Sequence, residues 1–478
     1  MLLWVDELYP ITFNKKPPKR RTFWSRKLMR TFSPKLLPTA TLMMIMLWSC
    51  TQERLGNPFD IQLEKRLTRL SPTSSLEYFM LPDERDYNAI PQGKNNPLSY
   101  EKVELGKLLF FETGIAREAM DDSGSGTYSC ATCHVPTAGF MPGRVQGIAD
   151  GGAGFGLNGE GRDISTQYVE GILDVQGARA LSLLNVAYVT NTTWNGKFGA
   201  NYVNVGTESV WGIDDESTEV NRLGLDGLET QNLEGLDLHR MIIDEYVLDT
   251  LGYRPYYNAA FADVPEEERY GKITTSFAIS AYIRTLLPNQ APFQKWLHGD
   301  KGAMTDAEKR GANIFYDKAG CYRCHKGPSM SSVEFHALGV NDLYQTGEAY
   351  QTDENDKRNL GRGGFTNLAK DMYKFKVPTI YNMGDSPFYF HGSSKRSLSD
   401  LVEYFDLGVK ENPNVPDSQI SPFFHPLMLT QKEKDDLLSF LENGLRDPDL
   451  MRYVPEEVLS GNCFPNNDIQ SQIELGCN

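Results

Sequence analysis

The chain has 478 residues, 40% hydrophobic and 11% aromatic, a composition that supplies core for two or three domains and excludes a disordered chain. Its formal charge is −15; nine Lys or Arg in residues 1–50 face only Asp6 and Glu7, so residues 51–478 sum to −22. So acidic a body argues against nucleic acid or anionic lipid as its partner, and the glycines between Gly143 and Gly161 lack the strand, turn and helix context of a phosphate loop.

Residues 1–50 read as an export leader: basic residues, then the apolar run LMMIMLW from Leu42 to Trp48, then Ser49 and Cys50. The run is too short to span a bilayer. LWSC resembles a bacterial lipobox, in which the leader is cut before the cysteine and its sulfur is acylated, although Trp48 is bulky for that motif. Met29, followed by Arg30 and Lys35, would start a leader of ordinary length, so residues 1–28 read as a misassigned upstream extension. Thr51 to Leu98 reads as a polar linker rich in Pro, Asn and charge.

Ser99 then caps an expected helix in SYEKVELGKLLFFE, with Val103, Leu105, Leu108 and Leu109 at helical spacing. It leads to YSCATCH, in which Cys130 and Cys133 sit two residues apart with His134 directly after. That cysteine spacing alone suits zinc, a disulfide or the two vinyl groups of a haem, and the adjoining imidazole favours a c-type haem. LETQNLEGLDLHRM (Leu228 to Met241) and KITTSFAISAYIRTLL (Lys272 to Leu287) follow; the latter puts Ile279, Ile283 and Leu286 on one face and is expected to pack where two halves meet.

The plan then repeats. TDAEKRGANIFYDKAG carries a capping box of Thr305 and Glu308, and leads to CYRCHKG with Cys321, Cys324 and His325. TQKEKDDLLSFLENG closes the second half, with Thr430 and Glu433 as its cap and Gly444 as its stop. A single zinc ribbon of all four cysteines is the bland alternative, but it has no use for a histidine after each pair. Cys463 and Cys477 remain as a plausible tail disulfide in an exported protein. Strand signals are weak throughout.

The ordered set LGKLLFFE, SCATCH, SLLNVAY, TWNGKF, AISAYIRTLL, AGCYRCHKGP, FKVPTIYNM, YFHG and SLSDLVEYFDLG resembles the bacterial di-haem cytochrome c peroxidase and MauG family from about Pro97 to Leu445. The resemblance implies a mainly α fold of two cytochrome c-like haem domains with long loops: 99–300 peroxidatic, 301–450 for electron transfer, and a tail at 451–478. It implies two covalent c-type haems, with Cys130, Cys133 and His134 holding the first and Cys321, Cys324 and His325 the second, each histidine below its iron.

Departures from the family pattern sharpen the expectation. The peroxidase branch closes its first iron with a histidine in the loop after the motif; here no histidine lies between His134 and His239, so that iron should be open, with Met141 the one soft ligand in the loop. The family's acid–base glutamate follows an L-E-x-Q motif. Leu228, Glu229 and Gln231 match the latter, but the glutamate's motif reads His239, Arg240, Met241, leaving His239 or Glu234 for the proton work and Arg240 to polarise the far oxygen. Trp194 matches the tryptophan between the haems. The family's sixth ligand to the second iron falls on Phe405, which cannot ligate; Tyr404 and His391 are the substitutes, and Met428 a more distant one. Arg179 takes the place of an asparagine that helps bind an interdomain calcium near Ser386 and Pro387, which makes calcium doubtful and Arg179 a candidate bridge.

The implied function is reduction of hydrogen peroxide with electrons from a small donor protein, a cytochrome c or cupredoxin, by an enzyme anchored through Cys50 and facing the periplasm of a Gram-negative bacterium. A MauG-like oxidation of a partner protein, and a plain di-haem electron carrier, are the alternatives.

Overall fold

A computed structural model describes residues 56–477, which fall in one compact unit. The leader and Cys50 lie outside the described residues. Helices dominate: α1 (Pro58–Leu70), α2 (Tyr100–Phe111), α3 (Gly227–Leu238), α4 (Lys272–Arg284), α5 (Asp306–Phe315), α6 (Leu398–Leu407), α7 (Gln431–Ser439) and α8 (Ile469–Leu475), joined by long loops and single turns. Two small antiparallel sheets complete it. β1 (Gly152–Ala153) pairs with β2 (Asp163–Ile164), and β3 (Ser332–His336) with β4 (Phe375–Val377) across a bulge between Ser332 and Phe335.

The expected caps are formed. Ser99 Oγ accepts from Lys102 N at the start of α2, and Thr305 with Glu308, and Thr430 with Glu433, make reciprocal boxes on α5 and α7. Each such cap is worth about 1 kcal/mol. The end of α7 differs from expectation: the chain widens into an i to i+5 turn over Phe440–Gly444 that closes on Leu445. Gly444 serves there as a small residue, since a Cβ on it would stand 2.7 Å from the Phe440 ring.

The two halves repeat one crossing. α2 packs on α4 and α5 on α7, and at each crossing a glycine lets backbones touch: a Cβ on Gly106 would overlap the Ala278 carbonyl, and one on Gly311 the Asp436 carbonyl. Buried Leu105, Leu109, Phe110, Ile279, Ile283, Phe315 and Leu437 join one continuous core, each contributing about 1.5–3 kcal/mol. α4 is buried on nearly all sides, against α2 and α3 of its own half rather than between the halves.

The segment read as a linker is structured from Asn57 onward. Asn57 caps α1 with Pro58 at the first turn, and Leu63 and Leu67, fully buried, face α5. Asp60 of α1 accepts from Trp296 Nε1 at 2.7 Å and pairs with Lys309 at 2.9 Å. The polar composition hid an amphipathic helix whose one buried charge, Asp60, has buried partners.

Candidate active site

The first motif forms a one-turn helix, Cys130–Cys133, whose entry is fixed by reciprocal bonds between Ser129 and Thr132. Both residues also donate into the tail, Ser129 Oγ to Pro465 O at 2.9 Å and Thr132 Oγ1 to Asn466 Oδ1 at 2.6 Å. His134 Nδ1 lies 3.1 Å from Phe140 O and His325 Nδ1 lies 2.9 Å from Met330 O. A carbonyl only accepts, so each Nδ1 carries the proton and each Nε2 keeps its lone pair for iron. Burial lowers both imidazoles to about 4, so they are neutral.

Four cysteines are unbridged: Cys130, Cys133, Cys321 and Cys324. Burial pushes the Cys130, Cys133 and Cys321 thiols up to about 12, against the lowered values of redox dithiols. The two pairs do not come together into a metal-binding cluster among the described residues, which removes the zinc ribbon. Beside the second motif opens a cavity walled by Leu338, Val340, Val377, Leu401, Val402 and Phe405, with His325 and both cysteines on its border. Reactive atoms at one rim and apolar walls beyond suit a porphyrin attached through the thiols, and Arg179 Nε, buried without a partner at the same cavity, suits its acidic edge.

Near the first motif, two aspartates that the sequence did not single out, Asp150 and Asp174, join His239 and Arg240. The loops carrying Asp150 and Asp174 run antiparallel, with Ala149 N bonded to Asp174 O at 2.9 Å and Asp174 N to Asp150 O at 3.0 Å. Against them stands the end of α3, where His239 is the C-cap and Arg240 takes the left-handed backbone at φ 54°. His239 Nδ1 meets Asp174 Oδ2 at 2.6 Å and Arg240 Nη2 meets Asp150 Oδ2 at 2.8 Å. Asp150 also accepts from the Tyr168 hydroxyl and Met120 N, and Tyr128 donates to His239 O. Burial disfavours a charged His239, but Asp174 outweighs it by charge and hydrogen bond, and the net pKa is raised. The paired loops lie against the first motif: a Cβ on Gly147 would stand 2.7 Å from Cys133 Sγ and 2.8 Å from Gln176 Oε1, beside the pairing of Ile148 with Val175.

Gln231 and Glu234 lie half-buried on α3 outside this group. Burial lifts Glu234 above the ordinary carboxylate value, and its charged neighbours are Lys197, Asp215, Glu216 and Lys272. Met141 lines the second cavity.

At the second cavity Trp194 enters from the first half. Its Nε1 donates to Arg179 O at 2.6 Å, and it meets Phe375 and His391 edge-on at 6.4 and 6.1 Å. His391 stacks on Phe375 at 3.6 Å and places Nε2 2.9 Å from Asp342 Oδ1. Tyr404 does not reach the cavity: its hydroxyl donates to Leu338 O at 2.8 Å, one residue's rotation on α6 presenting Phe405 instead. Met428 is 78% exposed, while Met383, the last residue of FKVPTIYNM, lines the wall. Arg179 is buried and donates through Nη2 to Pro142 O at 2.7 Å and Ser386 Oγ at 2.5 Å, linking the loop after the first motif to the second half. Burial lowers it to about 9.

Residues 100–302 match the family model described as di-haem cytochrome c peroxidase. The methylamine utilization protein MauG of Methylorubrum extorquens is 28% identical over 363 residues, covering 75% of this chain and 82% of that protein. Cytochrome-c peroxidase IdrP1 of a Pseudomonas species is 26% identical over 372 residues, covering 74% and 83%. A crystal structure of a MauG-like protein associated with microbial copper homeostasis superposes with a TM-score of 0.54 at 23% identity, over 78% of this chain and 96% of that one, which supports the shared fold.

Proposed function

We infer that this chain, which belongs to the bacterial di-haem cytochrome c peroxidase and MauG family, reduces hydrogen peroxide to two waters with two electrons and two protons, the electrons entering at the second motif and passing to the first. One observation carries this reading: a proton-handling group, His239 held by Asp174 and Arg240 held by Asp150, stands at the first motif in a chain with no histidine between His134 and His239 to close that site. When bound through Cys130, Cys133 and His134, the first haem supplies the iron and part of the electrons for cleaving the O–O bond.

The chain's own residues manage protons and position. His239 takes the proton of the near peroxide oxygen and returns it to the far one, whose departure as water replaces departure as hydroxide. Asp174 fixes the imidazole and Arg240 stabilises charge growing on the far oxygen. Trp194 places a π-system against His391 and Phe375 of the second half, where it would serve electron transfer between haems held at the two motifs. Among the candidate sixth ligands His391 is the one that borders the cavity. Arg179 does the bridging that a calcium would do.

The donor is a small cytochrome c or cupredoxin, the haems are covalent, and the protein is exported and held to a membrane through Cys50. None of the described helices is long and apolar enough to cross a membrane. The missing loop histidine equally suits MauG-like oxidation of a partner protein, and the two readings part on whether peroxide consumption needs only a small donor.

The test is spectroscopic. Two haems per chain should survive acidified-acetone extraction, and fully oxidised protein should show one high-spin haem that peroxide perturbs without prior reduction. Extractable haem, or two low-spin haems in the oxidised state, would overturn the reading.

A further inference from the structure

The second cavity is unbalanced in charge. Arg179 and Lys376 both border it, 2% and 3% exposed. Neither has a carboxylate partner among the described residues. Arg179 donates to carbonyls of Pro142 and Ala180 and to the Ser386 hydroxyl, with its Nε unpartnered, and Lys376, 3% exposed, has no side-chain hydrogen bond among the described residues. Burial alone lowers Lys376 to about 8. Asp342, the acidic residue on the wall, is occupied by His391 Nε2 at 2.9 Å and Asn412 Nδ2 at 2.8 Å. A buried cation without a counter-charge is costly, and two on one apolar cavity call for an occupant with a large apolar body and two acidic groups.

Both cations are tied to one residue. Trp194 Nε1 donates to Arg179 O at 2.6 Å, and Trp194 O accepts from Lys376 N at 2.7 Å. Trp194, Arg179 and Lys376 therefore form one backbone-linked edge of the cavity.

We propose that Arg179 and Lys376 are the counter-charges of the two propionates of the haem at Cys321 and Cys324, and that they raise its reduction potential. The inference rests on the haem reading above. The sign follows from electrostatics: fixed positive charge beside the group favours its reduced, less positive state, and removing one cation leaves a propionate that favours the oxidised state.

Lys376 is the residue to vary, because its ammonium makes no hydrogen bond that the fold would lose. Redox titration of the two-haem protein, following each haem by its spin state, should show that Lys376→Met lowers the second haem's potential by a tenfold change in reduced-to-oxidised ratio, about 59 mV for one electron. The first haem should not move, and Lys376→Arg should stay within about threefold of the unmutated ratio. If Lys376→Met loads its second haem poorly, Lys376→Arg should restore loading. An unmoved potential in Lys376→Met, or equal losses in both variants, overturns the proposal while leaving the two-haem reading intact. An unmutated chain holding fewer than two haems would overturn both.

Discussion

At the scale of single residues, the pair Asp174 and His239 decides the chemistry. Asp174 raises the imidazole above its ordinary 6.5, against the effect of burial. The signs for stability and for catalysis are opposite: the ion pair's stabilisation is complete below the ordinary value and lost as pH rises through the raised one, whereas the free base is gained over that same rise. Peroxide cleavage should therefore fall on the acid side of the raised pKa. Asp174→Asn should move that limb to lower pH and slow the step, and His239→Ala should cost about 100 to 10,000-fold with haem content intact. Glu234→Gln should cost less, since the charges that act on Glu234 are those of Lys197, Asp215, Glu216 and Lys272, and it has no hydrogen bond or ion pair with the Asp174 group among the described residues. Stopped-flow mixing with peroxide across pH measures all three; an unshifted limb in Asp174→Asn, or near-native rates in His239→Ala, would remove the pair from the mechanism. His239 was legible through its nearness to a family motif. Asp174 was not, because it is 65 residues away and reaches His239 only through the pairing of two irregular loops, for which sequence has no period.

At the scale of elements, the duplicated crossing explains why a glycine stands in each helix before a motif. Gly106 on α2 and Gly311 on α5 sit where the partner helix presents a bare carbonyl, of Ala278 and of Asp436. Moving two packed helices apart to admit a methyl strains both, typically by about 1–3 kcal/mol and more where the contact is backbone. Gly106→Ala and Gly311→Ala should each lower the denaturation midpoint more than Thr305→Ala, which loses a cap worth about 1 kcal/mol. If alanine at either position is neutral, the helices are not in backbone contact there. Caps and apolar spacing made α2, α5 and α7 legible, since those signals are local. The burial of α4 on nearly all sides was not, because Thr274, Thr275, Ser276 and Ser280 look solvent-facing in sequence yet satisfy their hydroxyls on nearby backbone or side chains. α1 has an Asn-Pro start and Leu63–Leu67 spacing inside a segment whose composition reads as linker, because the partners of Asp60, Trp296 and Lys309, lie 236 and 249 residues away.

At the scale of the whole molecule, the last residues return to the first motif. Pro465 O and Asn466 receive the hydroxyls of Ser129 and Thr132. Asp468 accepts from Gly154 N at 2.9 Å and pairs with buried Arg162 at 3.1 Å, and Glu474 accepts from Phe155 N and Gly156 N at 2.6 and 2.8 Å. Over 300 residues separate these partners, so the chain holds the first attachment helix by a contact with a high closure cost in entropy. The Cys463–Cys477 bridge offsets part of that cost: a loop with 14 residues of separation restrains the free tail by about 3 kcal/mol in the chain-entropy account. Replacing both cysteines by serine should therefore act at a distance and on one side. Hydrogen exchange should quicken at residues 128–134 and 152–162 while residues 321–326 keep their protection, and the first haem's spectrum should respond to mild denaturant before the second's. Such a bridge forms in an oxidising compartment, so protein produced without export should resemble the double variant and regain protection on oxidation. Equal exchange at both motifs with the bridge open would mean that the tail's hydrogen bonds alone hold the first helix, and that the disulfide closes only its own loop.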